Sequence, residues 1–197
     1  SDGKGGEATA LVTISVTPVN DAPVLDNTKS PTLANVDEDS PAPTNATFGS
    51  LVSTLVDLAI PSGQVDNVSE VDANALVGIA VVGAQTANGT WYYTTNGGAT
   101  ASDWKLLGAV SDSSARLLAA TAGTRLYFRP ILDFVGPATI TFRAWDRSNV
   151  VVGTLDNGDS VSITATGGIT AYSATTDTAT VTVTPDNDPP TSTADSI

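Results

Sequence analysis

Runs of alternating apolar and polar residues recur along the chain, each stopped by Gly, Pro, Asn or Asp. A period of two places every second side chain on one face, the mark of a half-buried β-strand. In TRLYFRP (124–130), Leu126 and Phe128 face one way, and Arg125, Tyr127 and Arg129 the other. ATITFRAWD (138–146) repeats the pattern, with Ile140, Phe142 and Ala144 inward and Thr141, Arg143 and Trp145 outward. LVGIAVVGA (76–84) is apolar almost throughout and reads as a buried strand. GTWYYTTNGG (89–98) enters a turn at Asn96-Gly97, and DWKLLGAV (103–110) returns from it. SVSITAT (160–166) and TATVTVT (178–184) complete the set, while SSARLLAATAG (113–123) has room for one short helical turn. Short strands at this spacing predict an all-β, antiparallel β-sandwich.

One pattern occurs twice. VTISVTPVNDAP (12–23) aligns without gaps over ATVTVTPDNDPP (179–190). A Val/Thr strand followed by an acid-amide-proline turn, at both ends of one chain, is the signature of an array of units. The expected division is therefore threefold. Residues 1–19 are the last strand of a preceding unit or a strand borrowed from it, 20–188 form one complete sandwich, and 189–197 begin the next linker. On this reading Ser1 is a point inside a longer chain.

Composition narrows the chemistry. Of 197 residues, 41% are hydrophobic, and 17 Gly and 11 Pro are spread as turn punctuation. No apolar stretch reaches the roughly 20 residues that span a bilayer, so membrane insertion is not expected. The chain has no Cys, Met or His, which removes disulfides, thiolate metal sites and His-based catalysis. Eighteen Asp and three Glu remain, with a net charge of −13. Such a surface repels nucleic acid. An Asp-rich chain without His suits a hard, oxygen-seeking cation such as Ca²⁺ better than proton transfer, so no enzyme is expected.

The ordered set of motifs resembles a known family. A Val/Thr strand closed by VNDAP or DNDPP, the stretch GTWYYTTNGGATASDWKLLGAVSDSSARLLAATAGTRLYFRPILDFVGPATITFRAWDRS (89–148), and the exit GGITAYSATTDTATVTV (167–183) are similar to cadherin-like modules of giant bacterial RTX adhesins. The likeness covers residues 36–190, and includes the peptide-binding branch of those modules. It implies an Ig/cadherin-like sandwich with an elaborated loop region. It also implies a site on the surface of a Gram-negative bacterium, adjacent modules of the same chain as neighbours, and a monomer dependent on Ca²⁺. The glycine-rich nonapeptide repeat of the RTX secretion signal is absent.

Within that resemblance the acidic turns acquire a use. Ca²⁺ takes six to eight oxygens. Asn20 and Asp21 offer them in the first linker, and Asp186, Asn187 and Asp188 in the second, with prolines stiffening both exits. The resemblance implies that Glu38 and Asp146 face Asn187 and Asp188, and that Glu70 and Asp72 face Asn20 and Asp21. In LDNGDS (155–160), Asp156, Asn157 and Asp159 are spaced like half an EF-hand loop, and equally like an Asn-Gly hairpin turn. The rows Arg125/Tyr127/Arg129 and Arg143/Trp145 read either as a packing ladder on neighbouring strands or as a recognition face for an anionic ligand.

Two functions follow. The first is a calcium-dependent adhesion module that binds a peptide or protein, or alternatively a glycan, on a partner surface. Its site would lie in the 147–173 segment: Arg147 at its start, Asp156 and Asp159 holding an ion, Gly167 and Gly168 admitting a ligand backbone, Tyr172 supplying a flat contact. The alternative is an extender stiffened by Ca²⁺ that binds no ligand.

Overall fold

A computed structural model describes residues 3–5, 9–150 and 155–188. Twelve strands follow in chain order: β1 (Val24–Leu25), β2 (Val36–Asp37), β3 (Ser50–Leu51), β4 (Val68–Ser69), β5 (Gly78–Ala84), β6 (Gly89–Thr94), β7 (Lys105–Leu106), β8 (Ala115–Ala119), β9 (Arg125–Pro130), β10 (Gly136–Trp145), β11 (Ser160–Val161) and β12 (Asp177–Thr184). Among the described residues, helix is confined to three single turns at Val52–Thr54, Ala101–Asp103 and Asp112–Ser114.

The strands form an all-β sandwich. One sheet has the order β11-β8-β5-β10-β12-β2, the other β3-β9-β6-β7, and β1 pairs β4 in a small two-stranded sheet. All pairings between strands are antiparallel except β12 with β2, which makes the large sheet mixed and departs from the purely antiparallel expectation. The core lies between the two main sheets. Ile79, Val81, Leu118, Ile140, Phe142, Val181 and Val183 from the large sheet meet Trp91, Tyr93, Leu126 and Phe128 from the small one. The Trp91 and Phe128 rings sit 4.9 Å apart across β6 and β9.

A second core covers the opposite face of the large sheet. Ala80, Leu117, Ala119 and Trp145 point away from the first core and are roofed by Ile163, Ala171 and Tyr172 from the segment before β12. Strand parity is therefore as read from the sequence, while exposure is not. Trp145 is fully buried, and Tyr127 is covered by Phe48, 5.2 Å between ring centroids, and by Trp104. The two arginine-aromatic rows do not neighbour each other either, because β9 and β10 belong to different sheets. The helical turn expected over 113–123 is shorter and earlier; Ala115–Ala119 form a strand, in which Arg116–Ala119 pair with β5.

Residues 9–19 carry no strand. Leu11, Val12, Ile14 and Val16 are all exposed, although their sequence matches β12. The expected start of a next linker at 189–197 lies outside the described residues, as do 151–154 within the long segment.

Candidate functional site

The geometry of β10 decides which acids meet. It begins beside the end of β12, with Gly136 opposite Val183, and ends in Trp145-Asp146 at the other end of the sandwich. Asp146 thus stands at the first linker, not the second as expected. Its Oδ2 accepts a 3.0 Å hydrogen bond from Asn20 Nδ2, and its Oδ1 one from the Ser148 N–H at 2.7 Å. Asn20 Nδ2 also donates to the Thr170 carbonyl, and the Ala22 N–H to the Gly168 carbonyl at 2.7 Å. The Asp21 N–H donates to Asp72 Oδ2 at 2.9 Å, the meeting of Asp72 with the first linker that the resemblance implied.

Glu70 lies two residues before Asp72. Its Oε1 accepts from the N–H groups of Val71 and Asp72, while its Oε2 is buried without any hydrogen-bond partner. A carboxylate oxygen withdrawn from water and left unbonded is costly unless a cation or a proton meets it. A half-turn of the Asn20 amide exchanges Nδ2 for Oδ1, after which Asn20 presents an oxygen as well. Asn20 with Asp146, and Asp72 on the Asp21 N–H, then offer oxygens at the first linker, the atom type Ca²⁺ takes. Beside it opens a cleft of about 410 Å³ lined by Val19, Asn20, Asp72, Leu76, Asp146 and Arg147.

At the far end, parallel pairing of β2 with β12 brings VDEDS against the second linker. Glu38, almost buried, accepts the Asp186 N–H on Oε1 at 2.9 Å, and Asp37 accepts the Thr184 hydroxyl at 2.8 Å. Asp188 groups with Asp39 and Asp133, one carboxylate oxygen from each lying within 4.8 Å of the others. Asp39 and Asp133 both have positive φ, +62° and +57°, and the Asp133 N–H bonds Asp39 Oδ1 at 2.9 Å. Asn187 stands in the same linker, with its N–H on Asp186 Oδ1. Asp133 was not singled out by its sequence. Its signal is position: it lies three residues before β10, in the turn that faces the end of β12.

The segment expected to hold a ligand mostly serves the fold. In LDNGDS the Asp156 N–H bonds Asp159 Oδ2 at 2.8 Å, the Asn157 N–H bonds Asp156 Oδ1 at 2.6 Å, and Gly158 takes φ +94°. The turn closes on its own carboxylates. Asn157 docks it on β8, accepting from the Ala119 N–H and donating to the Thr124 hydroxyl, both at 2.9 Å. Tyr93 and Arg116 both donate to the Gly158 carbonyl.

Tyr172 is 6% exposed, with its ring in the second core and its hydroxyl accepting from Asn149 Nδ2 at 2.8 Å. It offers no flat face to a ligand, and burial raises its pKa. Gly167 and Gly168, at φ +69° and +60°, form the turn whose carbonyl receives the Ala22 N–H, so the backbone they admit is this chain's own linker. Arg147, at φ +63°, lies over the Trp145 ring at 5.8 Å and borders the cleft. Of the six residues, Arg147 borders the described cleft beside Asp146, and among the described residues no hydrogen bond joins Asp156 or Asp159 to Gly167, Gly168 or Tyr172.

No protein-family model, no curated protein and no solved structure matches the chain.

Proposed function

We infer that the chain is a calcium-dependent extracellular adhesion module, of the cadherin-like type carried by RTX adhesins, whose two linkers are stiffened by Ca²⁺. The observation that supports this most is the pair of oxygen clusters at opposite ends of one sandwich. Each joins an Asn-Asp linker to acids from distant turns: Asn20 with Asp146 and Asp21 with Asp72; Asp188 with Asp39 and Asp133, beside the Glu38–Asp186 contact. Asp39, Asp133 and Asp188 lie close enough to repel one another, and a cation that neutralises them favours the folded state. The exposed strand-patterned residues 11–17, equivalent in sequence to β12, suit a chain in which one sandwich hands directly to the next.

Thermal unfolding in millimolar Ca²⁺ against EDTA tests this reading. A rise of several degrees in Ca²⁺ is expected, because an ion bound to the folded state alone stabilises it by mass action. Equal melting temperatures overturn it.

A peptide-binding role rests on a narrower observation, the cleft beside Asp146 with Arg147 on its wall. A guanidinium next to a calcium site suits a ligand carboxylate. Peptides with a free C-terminus should bind in Ca²⁺ and not in EDTA, and amidated peptides should bind much more weakly. If no peptide binds, the module is an extender.

A further inference from the structure

The chain contains three Asn-Gly pairs: Asn88-Gly89, Asn96-Gly97 and Asn157-Gly158. Such a pair can react with itself. The backbone nitrogen of the glycine attacks Cγ of the Asn side chain, and a glycine has no Cβ to obstruct the approach. The reaction requires a side-chain amide free to rotate onto the next nitrogen, and a glycine N–H free to lose its proton.

The fold holds two of the pairs and leaves the third loose. Asn96 Nδ2 donates to Asp103 Oδ1 at 2.7 Å, its Oδ1 accepts from the Thr94 hydroxyl at 2.8 Å, and the Gly97 N–H bonds the Gly123 carbonyl at 2.7 Å. Asn157 is bonded to the Ala119 N–H and the Thr124 hydroxyl, and the Gly158 N–H bonds the Leu117 carbonyl at 2.7 Å. Asn88 differs. It is exposed in the turn between β5 and β6, and its side chain has no hydrogen-bond partner among the described residues. The Gly89 N–H reaches the Thr86 carbonyl only at 3.5 Å, beyond the usual range of a hydrogen bond. Only the Asn88 carbonyl is engaged, accepting the Ile131 N–H at 2.9 Å. Exposure does not separate the pairs, since Asn96 is exposed as well.

We propose that Asn88 is a site of spontaneous deamidation, selected from the three pairs by the fold. The Gly89 nitrogen gives its proton to solvent and bonds to Asn88 Cγ; the bond from Cγ to the side-chain nitrogen breaks, and ammonia leaves. Water then opens the five-membered imide at either carbonyl, giving aspartate or isoaspartate at position 88. Both products add a carboxylate next to Gly89 and Thr90, which line a cleft of about 320 Å³ together with Asp39 and Arg129. The isoaspartate also routes the main chain through the side-chain carbon, lengthening it by one atom just before Gly89. That glycine is closely seated, because a Cβ there would clash with the Phe128 ring and the Arg129 carbonyl. The aspartate keeps this seating, and the isoaspartate strains it. The site is separate from the linker clusters and stands whether or not they bind calcium.

The test is peptide mapping by mass spectrometry of the full chain, aged in mildly alkaline buffer with and without denaturant. Asn88 should convert at much the same rate folded and unfolded. Asn96 and Asn157 should convert in denaturant but at least about tenfold more slowly in the folded chain, because several hydrogen bonds must open first. Asn88→Gln alters an exposed side chain, so it should keep the melting temperature and lose the early mass gain; its longer side chain closes a six-membered imide much more slowly. The proposal is overturned if Asn96 or Asn157 converts as fast as Asn88 in the folded chain. It is equally overturned if Asn88 stays intact when folded and converts when unfolded, or if the mass gain persists unchanged in Asn88→Gln.

Discussion

Asp177 and Tyr172 show how single buried polar groups report on their surroundings. The folded-state pKa of Asp177 is raised, chiefly by burial. A carboxyl whose folded pKa exceeds its unfolded value adds its stability in full below the ordinary carboxylate range near about pH 4, and loses it as pH rises through the raised value. In EDTA, therefore, wild type should lose melting temperature relative to Asp177→Asn as pH climbs from the acid side toward neutrality. A parallel pH dependence of the two proteins would contradict this. Asp103 has the opposite sign. The Asn96 side chain first, then the Thr100 N–H and hydroxyl, hold its pKa below the ordinary value, so its contribution is present above the usual carboxylate range and fades as pH falls. Tyr172→Phe removes only the hydroxyl that accepts from Asn149. A loss of about 1 kcal/mol is expected, read by denaturant melts, with peptide binding unaltered.

At the scale of elements, the long segment before β12 acts as a second layer over the large sheet. Asn157 is its clamp, because one side chain satisfies both an edge N–H of β8 and the Thr124 hydroxyl. Asn157→Ala should cost about 1–3 kcal/mol and speed amide exchange at Ala119 more than at Ile140 in the main core. Equal acceleration at both positions would mean that the layer and the core open together. Trp145→Ala should cost about 3–5 kcal/mol, since the ring is fully buried in that layer.

Much of this was legible in the sequence. The long strands β9, β10 and β12 were visible because period-two alternation reports which face each side chain takes, and β5 and β6 because an apolar run or a strand-and-turn pattern marks them. Alternation does not report what covers the other face, which is why Trp145, Tyr127 and Tyr172 read as exposed and are buried. The strands β1 and β4 are two residues long, too short for any period to show, and of the strand read over 160–166 only Ser160–Val161 pair. The site was half legible. The acids were visible as types, but the end of the sandwich reached by Asp146 depends on the direction of β10 against β12, a fact of pairing that no local motif carries.

For the molecule as a whole, the two clusters are the ends of one body, so their effects should be separable. In a tandem pair of sandwiches, Asp188→Ala should loosen only the downstream junction and leave the melting temperature of the core nearly unchanged, because Asp188 follows the last strand and is exposed. Small-angle scattering should then report a more bent average shape in Ca²⁺, indistinguishable from wild type in EDTA. An equally extended shape in Ca²⁺ would exclude Asp188 as a ligand. Asp146→Asn should act at the upstream junction and release Asn20.

The antiparallel pairing of β12 with β10 also has a mechanical meaning. Tension applied through the first linker pulls at the end where Asp146 meets Asn20 and β12 begins; tension through the second linker pulls on β12 from its far end. The strand is therefore drawn along its own axis. Its bonds to β10, in register from Phe142–Asp177 to Gly136–Val183, are loaded together in shear and not opened one at a time like a zip. The parallel neighbour β2 adds a second row in the same direction. Resistance to stretching is set by the rate of unfolding along the pulled direction and not by equilibrium stability. Pulling from residues 20 and 186 should rupture at clearly higher force than pulling β12 sideways from residue 180 against 139, although the same hydrogen bonds break in both.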